Sequence, residues 1–427
     1  MKNIVKQMVI ILFMFSTAYA ADNRIDGIRP DAPELAKMGE YNIGVRTINL
    51  IHKDQIDAVN IEDDKAIPRY DRPITIEVWY PAQTTERGTE YREVLLRDAK
   101  TKVSLYGSAV RDAQPLKAGN SYPLIVISHG YPGNRFLMSH LGENLASKGY
   151  VVASIDHTDS MYQDAGAFVS TLLNRPLDQR FVLDQMTYFN NSEDHFLSNM
   201  VDTDNAGLIG YSMGGYGSLI TAGAGITKTA AETPAVSPQN ILKRVEANSE
   251  THTKLMAGNN YKAIVSFAPW GMERGFWDDE GLKNIHIPMF FISGSEDETS
   301  GYETGTRAIY EKAIGIERYL LTFDNAGHNA AAPIPSPKES WDAIYNDGNS
   351  VAFSHYDDPV WDTLKANNVA QHFATAYFGK ILKNNQNMSK YLDLTNHGNE
   401  AKDDTQWIGF KARTAKGLHL EHLSAQQ

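Results

Sequence analysis

Six strand-length apolar runs, each followed by a stretch long enough for a helix, restrict the fold of this chain more than any other feature. The alternation is typical of a largely parallel sheet covered by helices on both faces. The runs lie at residues 124–128, 150–155, 207–210, 263–268, 289–293 and 319–323. They predict an α/β fold with a mostly parallel, doubly wound sheet.

The flanking segments complete this prediction. Residues 43–51 and 74–80 alternate between apolar and polar side chains, as half-exposed antiparallel strands do, and we expect them to form the leading edge of the sheet. Residues 142–148 and 362–382 have helical spacing. The polar end after Lys383 predicts a loosely ordered terminus.

Two stretches, at about 158–205 and 222–261, do not fit the alternation. Insertions of this size after strand ends often build a cap or a mobile lid over a site. We therefore expect one catalytic domain at 21–427 that is enlarged by these two insertions.

The first twenty residues have the pattern of an export leader. Lys2 and Lys6 precede an apolar run, and Ala18-Tyr19-Ala20 provides small residues for cleavage. The pattern predicts a signal peptide at 1–20 and a bacterial protein that reaches the periplasm or the medium. The chain has no cysteine, which excludes disulfides, thiolate metal ligands and a cysteine nucleophile.

Charge and length limit the partners. The formal net charge of −12 becomes −14 without the two leader lysines, which disfavours nucleic acid and anionic membranes. No later run reaches the roughly 20 apolar residues of a membrane helix, so we expect no stable membrane insertion. A neutral or cationic small molecule is the favoured partner, and the oligomeric state stays open.

The strongest local motif is Gly210-Tyr211-Ser212-Met213-Gly214-Gly215, between an apolar strand and a small-residue helix. Small residues around a serine permit the strained strand-to-helix turn that exposes a nucleophilic hydroxyl. Such strings also occur by chance, but the flanking strand and helix favour the catalytic interpretation of Ser212.

A serine hydroxyl needs a base, and a histidine base needs a carboxylate to orient it. His328 follows the last apolar run in the chain order serine, acid, histidine, although a surface loop histidine is the plain alternative. Asp297 lies in an acidic cluster after the run at 289–293, and Glu296 or Glu298 could take its place.

An acyl-transfer site also needs two N–H donors for an oxyanion. The N–H of Met213, directly after the serine, is the first candidate, and the N–H of Tyr131 in the glycine loop after residues 124–128 is the second. We expect His129 to order that loop through backbone hydrogen bonds.

The remaining candidates are less specific. Trp270, Phe276 and Trp277 follow the run at 263–268 and either line an acyl pocket or pack in the core. The sequence has no zinc motif, calcium loop or dinucleotide fingerprint, so we expect neither a metal nor a cofactor. Asp156, His157 and Asp159 could hold an ion, but polar cleft residues are the commoner explanation.

Several segments together resemble the bacterial dienelactone-hydrolase-related proteins, a group similar to the platelet-activating-factor acetylhydrolases. The segments are Ile76-Glu-Val-Trp-Tyr-Pro81, Ser128-His-Gly130, Gly149-Tyr-Val-Val-Ala-Ser-Ile-Asp-His157, Arg175-Pro176, Phe181-Val-Leu-Asp184 and Gly210-Tyr-Ser-Met-Gly-Gly215. The resemblance covers most of the chain between about residues 45 and 383. It implies an α/β-hydrolase fold, a triad of Ser212, Asp297 and His328, and short-chain ester hydrolysis without a cofactor. Dienelactone hydrolases proper use cysteine, which this chain lacks, so their substrate is not carried over.

The sequence thus predicts a serine hydrolase that cleaves carboxylic esters, with short acyl esters favoured. A lipase, polyester hydrolase or peptidase with the same triad is the alternative. A non-catalytic binding protein on the hydrolase fold is a more remote one.

Overall fold

The computed structural model describes residues 22–426 except positions 87, 118, 120, 167, 346, 347, 349, 395, 396, 403 and 404. The predicted leader at 1–20 lies outside the described residues. The strands are β1 (Ile43–Ile56), β2 (Arg69–Gln83), β3 (Thr89–Leu95), β4 (Lys102–Gly107), β5 (Val110–Arg111), β6 (Gln114–Pro115), β7 (Tyr122–Ser128), β8 (Val151–Asp156), β9 (Val201–Tyr211), β10 (Tyr261–Phe267), β11 (Met289–Gly294), β12 (Arg318–Phe323), β13 (Ile344–Tyr345), β14 (Ser350–Val351) and β15 (Leu418–Leu423). The α-helices are α1 (Ser139–Ala146), α2 (Phe168–Asn191), α3 (Met213–Thr221), α4 (Lys228–Glu232), α5 (Glu250–Met256), α6 (Asp279–Lys283), α7 (Ala308–Lys312) and α8 (Thr363–Ile381). Short 3₁₀ or π turns span Glu34–Ala36, Pro238–Arg244, Met272–Arg274, Tyr302–Arg307, Lys338–Trp341, Ala352–His355 and Gln386–Tyr391.

The central sheet has the strand order β15-β12-β11-β10-β9-β7-β8-β2-β1-β5, and β6 pairs with β2. Every neighbouring pair from β12 to β8 is parallel. The pairs β1–β2 and β2–β8 are antiparallel. The predicted α/β class, with a mostly parallel sheet and antiparallel leading strands, is therefore confirmed.

The position of β7 determines where a site can form. The chain runs from β7 to β8 on one side and then returns to β9 on the other side of β7. In open α/β sheets, such a reversal of strand order opens a crevice at the carboxyl ends of the strands. The loops after β7 and β9 both end in this crevice.

Alternate residues of the buried strands face two separate hydrophobic layers. Ile125 and Ile127 belong to the layer that includes α1 and α8, whereas Leu124 and Val126 belong to the layer that includes α2 and α3. Because side chains alternate along a strand, an apolar run that is continuous in sequence is buried on both faces. This accounts for the unbroken apolar pattern of these strands.

The prediction of a cap at about 158–205 is wrong for most of that stretch. Residues 168–191 form α2, which packs against α3, β7 and β9 as a regular layer of the fold. Its buried side chains include Asn174, Arg175, Asp178 and Gln179. These polar groups interrupt the apolar residues of the buried face, so α2 lacks the continuous apolar stripe by which a packed helix is predicted from sequence.

The stretch at 222–261 also packs beside the sheet. The turn at Pro238–Arg244 and α5 contact α2. Ile226, Leu242 and Leu255 are buried in the same hydrophobic layer as α3. This stretch therefore extends the α2 layer, and the expectation of a mobile lid finds no support in its packing.

The described residues of the C-terminal segment include regular, packed structure, contrary to expectation. β15 pairs antiparallel with β12 at the edge of the sheet. Trp407 and Phe410 are buried against α8 residues such as Phe373. Polar residues surround these few apolar residues in the sequence, so no hydrophobic pattern predicted their burial.

Within the described ranges, no helix combines the length and apolar character needed to cross a bilayer.

Candidate active site

Ser212 occupies a strained turn between β9 and α3. Its φ of 53° and ψ of −109° lie outside the regions that non-glycine residues normally adopt. Hydrogen bonds fix the turn, since Ser212 N–H donates to Phe267 O (2.9 Å) and Trp270 N–H donates to Ser212 O (3.2 Å). The strain is thus maintained by the ends of neighbouring strands.

Steric contacts explain why the motif has glycine on both sides of Ser212. A Cβ on Gly210 would lie 2.4 Å from Gly214 O, and one on Gly214 would lie 1.9 Å from Ser128 O. Both clashes are with backbone atoms, one in α3 and one at the end of β7. The turn around Ser212 therefore requires glycine at both positions.

The structure brings Ser212, His328 and Asp297 together in one hydrogen-bonded row. His328 Nε2 lies 3.0 Å from Ser212 Oγ. His328 Nδ1 lies 2.9 Å from Asp297 Oδ1 and 3.0 Å from Oδ2. With the proton on Nδ1, the imidazole donates to Asp297 and leaves Nε2 free to accept from the serine hydroxyl.

Asp297 is the acid that contacts the histidine. Its carboxylate also accepts hydrogen bonds from Thr299 N–H and Ser300 N–H, each at 2.9 Å. Burial raises the pKa of Asp297, but His328 and these two N–H donors outweigh it, and the net pKa is lowered. The alternatives Glu296 and Glu298 are both exposed.

The loop that carries His328 is held on both sides. Gly327 N–H donates to Asp358 Oδ2 at 2.7 Å. Asn329 Nδ2 donates to Ser354 O at 2.8 Å and to Asp357 O at 3.0 Å. These bonds join the loop to the segment that leads into α8 and fix the imidazole through its two chain neighbours.

The two predicted oxyanion donors, the N–H groups of Tyr131 and Met213, are without an acceptor in the described part of the chain. Among the hydrogen bonds of the described residues, none is donated by the N–H of Tyr131 or Met213. Met213 is the first residue of α3, so its N–H also lacks an intrahelical acceptor. A Cβ on Gly130 would lie only 3.4 Å from Ser212 Cβ, which places the loop of Tyr131 directly beside the serine.

His129 faces backbone groups. Its Nδ1 lies 2.6 Å from Gly130 O, and its Nε2 accepts from His157 N–H at 3.3 Å. Burial and the nearby Arg175 lower the pKa of His129 well below its ordinary value, so the ring is neutral. His129 is therefore a part of the loop and is not arranged as a base for Ser212.

The three predicted pocket aromatics have different environments. Trp270 is half-buried, bonds to the Ser212 backbone and touches Phe168, whose ring in turn contacts Tyr131. Phe276 and Trp277 are buried in the core, 4% and 3% exposed, around Tyr216. Core packing therefore describes Phe276 and Trp277. Trp270 packs against Phe276, with ring centroids 5.1 Å apart, and of the three it alone is half-buried and bonded to the Ser212 backbone.

A cleft of about 500 Å³ lies beside His328. Its carboxylates come from Glu296, Glu298, Asp357 and Asp358, and its only basic side chain is His328 itself. The cleft is therefore strongly acidic. Clusters of three or more His, Asp or Glu side chains suited to a metal are absent from the part of the chain that the structure describes.

The polar strand end at Asp156, His157 and Asp159 is occupied by protein partners. Asp156 pairs with Arg135, and Asp159 pairs with Arg72 at 3.0 Å. His157 bonds through Nδ1 to Asp178 at 2.9 Å and through Nε2 to Ser128 Oγ at 2.8 Å. These contacts account for the polar cluster without an ion.

Sequence reasoning missed the polar face of α2. Gln179 Nε2 donates to Ser128 Oγ and to Gly214 O, both at 3.0 Å, and Arg175 donates to the carbonyls of His129 and Gly130. Asp178 bonds to Arg72 and His157. The available signal was three large polar residues within five positions of a helix, each on the side that faces the sheet.

Known proteins resemble this chain in part. Residues 96–253 match the family described as "PETase: PET hydrolase-like". Platelet-activating factor acetylhydrolase of Cavia porcellus is 31% identical over 139 residues, which are 30% of this chain and 31% of that protein. Cutinase 2 of Thermobifida cellulosilytica is 23% identical over 215 residues, 50% of this chain and 63% of the cutinase. Cutinase cut1 of Thermobifida fusca is 23% identical over 215 residues, 50% of this chain and 52% of its own length. The chain thus spans less than two thirds of each of these relatives.

Proposed function

Because the chain belongs to the α/β-hydrolase superfamily, we propose that it hydrolyses carboxylic esters through an acyl-enzyme on Ser212. The observation that carries the proposal is the row from Ser212 Oγ through His328 to Asp297, with both imidazole nitrogens at hydrogen-bond distance. A serine with a histidine on one side and a carboxylate beyond it is the arrangement that activates an alcohol as a nucleophile.

In the first step, Ser212 Oγ attacks the ester carbonyl carbon while His328 Nε2 takes the hydroxyl proton. Asp297 stabilises the imidazolium, and the N–H groups of Tyr131 and Met213 donate to the oxyanion. The tetrahedral intermediate then expels the alcohol, which receives the proton from Nε2.

In the second step, water replaces the alcohol. His328 Nε2 takes a proton from the water as its oxygen attacks the acyl carbon. Collapse of this second intermediate returns the proton to Ser212 Oγ and releases the carboxylic acid. The enzyme ends each cycle with the same protonation as at the start.

The charge of the cleft supports neutral or cationic substrates. Glu296, Glu298 and Asp357 line the cleft beside His328, with no basic side chain other than His328 to offset them. An anionic group near them would be repelled, which also favours release of the carboxylate product.

Short acyl esters are our first substrate class, with Trp270 beside the acyl chain. Polyester hydrolysis is the second candidate, because the family match is to PET hydrolase-like proteins and several relatives are cutinases. A lipase, a peptidase and a non-catalytic binding protein are the remaining alternatives, and the experiments below separate them.

We further propose that the chain is exported as a single catalytic domain, residues 21–427. The leader pattern at 1–20 supports export to the periplasm or the medium. N-terminal sequencing of the protein from periplasmic and medium fractions tests this, with Ala21 as the expected first residue.

The deciding experiment compares initial rates on p-nitrophenyl esters from acetyl to dodecanoyl for the wild type, Ser212→Ala and Ser218→Ala. Ser218 is a matched control, since it is buried in the helix α3 that follows Ser212, and its Oγ bonds to Gly215 O. We expect S212A to lose at least about 10³-fold in kcat and S218A to stay near the wild type. Equal activity of S212A and wild type would refute the role of Ser212, and an inactive folded wild type would leave the binding protein as the better description.

The substrate class is tested on the same protein preparations. Acid release from an amorphous polyester film, from a long-chain triglyceride emulsion and from a peptide p-nitroanilide is compared with turnover of the acetyl ester. Faster release from the film than from soluble esters at equal ester concentration would replace the short-ester assignment by the polyester one.

A further inference from the structure

Arg175 on α2 is bonded to the loop that carries the proposed oxyanion donor. Its guanidinium donates through Nη1 to His129 O and through Nη2 to Gly130 O, the latter at 2.9 Å. The side chain is buried, and Nε has no hydrogen-bond partner in the described structure. Both of these hydrogen bonds are therefore donated to two consecutive carbonyls of one loop.

The bond to Gly130 O fixes the direction of a second group. Gly130 C=O and Tyr131 N–H belong to the same trans peptide unit, in which the carbonyl and the N–H point in opposite directions. With the carbonyl directed at Arg175 and at His129 Nδ1, the N–H of Tyr131 points to the other side of the peptide. Rotating this peptide away from that position would break two hydrogen bonds at once.

The charge of Arg175 is not neutralised by a direct partner. Among the described residues, no carboxylate lies within ion-pair distance of it, because Asp178 pairs with Arg72 and His157. Burial, opposed by the charge of Asp178 and aided by that of Arg72, lowers the pKa of Arg175 to about 9, which still leaves the guanidinium charged at neutral pH. A buried cation without an ion pair is costly, and here its hydrogen-bonded contacts are carbonyls of the loop beside Ser212.

We propose that Arg175 is a positioning residue of the oxyanion hole, which orients and polarises the Gly130–Tyr131 peptide so that the Tyr131 N–H donates to the developing oxyanion. This inference rests on the proposed function. A cation bonded to the carbonyl strengthens the amide dipole, so the N–H at the other end becomes a better donor. The same positive charge attracts the oxyanion through the peptide.

A purely structural role makes a different prediction. If Arg175 only anchored α2 to the loop, its loss would reduce the amount of folded enzyme, and the molecules that fold would retain normal turnover. If it positions the oxyanion donor, each folded molecule turns over more slowly while ground-state ester binding changes little.

The test compares Arg175→Met, Arg175→Lys and the matched control Arg180→Met. Arg180 lies on the same helix and also donates to two backbone carbonyls, Leu255 O at 3.1 Å and Ala257 O at 2.8 Å. For each variant, kcat and KM for p-nitrophenyl butyrate are measured per serine titrated to completion with a fluorophosphonate. The inhibition constant of an alkyl boronic acid, which forms a tetrahedral adduct, is measured alongside.

We expect R175M to lose about 10- to 100-fold in kcat per titrated serine, with KM within about threefold of the wild type. The inhibition constant for the boronic acid is expected to rise by a similar factor. R175K keeps the charge but reaches only one carbonyl, so about a 3- to 10-fold loss in kcat is expected. R180M is expected to match the wild type in all three quantities.

This inference would be overturned if R175M kept the wild-type kcat per titrated serine, or if only its KM changed. The ester-hydrolase assignment would still stand in that case, provided that S212A is inactive. If R175M does not fold, R175K is the deciding variant. An unchanged kcat and an unchanged inhibition constant for the boronic acid in R175K would overturn the inference. Absence of ester hydrolysis in the wild type would refute the proposed function and this inference together.

Discussion

The hydroxyl of Tyr211 donates a 2.8 Å hydrogen bond to Asn329 Oδ1. Tyr211 directly precedes Ser212, and Asn329 directly follows His328. This bond joins residues 118 positions apart in sequence and connects the end of β9, directly before the serine turn, to the histidine loop. The rings of Tyr211 and His328 also contact each other, with centroids 5.3 Å apart.

Removing this hydroxyl with Tyr211→Phe is expected to lower kcat about 3- to 10-fold, because the histidine loop loses one of its supports. The free energy of unfolding is expected to fall by about 1 kcal/mol, the usual size for a lost hydrogen bond. Tyr80→Phe is the matched control, since Tyr80 OH donates to Ala113 O at 2.8 Å. Urea unfolding and ester kinetics are measured on both, and an equal loss of kcat in Y80F would contradict the prediction.

Replacing the acid with Asp297→Asn is expected to lower kcat by about 10³- to 10⁴-fold, because an amide cannot stabilise the imidazolium and favours the wrong tautomer of His328. Since the pKa of Asp297 is lowered in the fold, its carboxylate stays charged at all pH values above its ordinary 3.8. Asp297 therefore does not set the acid limb of the pH–rate profile near neutrality.

Glu296→Gln and Glu298→Gln are the controls for the acid. Both side chains are exposed at the rim of the cleft, and each variant is expected to change kcat less than about threefold. A large loss in either control with a mild effect of D297N would reassign the orienting acid.

Adding one methyl group with Gly214→Ala is expected to destabilise the protein by about 2–4 kcal/mol and to abolish measurable ester turnover. The new Cβ would lie 1.9 Å from Ser128 O, and neither backbone can move without disturbing the serine turn. Gly166→Ala is the control, because a Cβ there meets no atom within 4 Å. Denaturant midpoints of the two variants give the comparison, and equal midpoints would show that the turn tolerates the methyl.

The buried Glu143 is expected to make stability depend on pH. Its carboxylate accepts from Ser108 N–H at 2.7 Å and Ala109 N–H at 3.1 Å, and it is bonded to Tyr91 OH. Burial raises the pKa of Glu143 to about 7 although these three donors oppose the shift. In the unfolded chain, the ordinary value of 4.5 applies.

Because the folded pKa is raised, the folded state holds a proton between about pH 4.5 and 7 that the unfolded chain releases. Stability is therefore highest below pH 4.5 with respect to this group and falls as the pH rises to 7, by roughly 3 kcal/mol. Urea midpoints from pH 4.5 to 8 are expected to decline less in Glu143→Gln than in the wild type. The surface variant Glu250→Gln serves as control, and identical slopes in wild type and E143Q would exclude this role of Glu143.

Local chemistry explains what could be predicted from the sequence. A parallel strand buried on both faces must be apolar throughout, so the strands from β7 to β12 were visible as runs. The turn at Ser212 requires glycines at fixed positions, so Gly210 and Gly214 marked it. The order of serine, acid and histidine along the chain then predicted Asp297 and His328, and the structure brings these side chains together.

Other features depend on partners far away in sequence. α2 was interpreted as part of a cap because its stretch does not fit the alternation of strands and helices. Buried polar residues interrupt its apolar face, and they are satisfied by bonds to groups distant in sequence, such as Ser128, His129 and Gly214. Likewise, β15 is stable only because β12 offers it an edge, more than 90 residues earlier.

By itself, the sequence determined the fold class, the strained turn at Ser212 and the set of residues from which a triad could form, because short-range sterics and burial specify these. Only the tertiary structure decided that Asp297 and neither neighbouring glutamate meets His328, that Phe276 and Trp277 are core residues, and that Arg175 faces the loop of Tyr131. Those choices depend on the direction of side chains across separate elements. Residue spacing along the chain does not encode that direction.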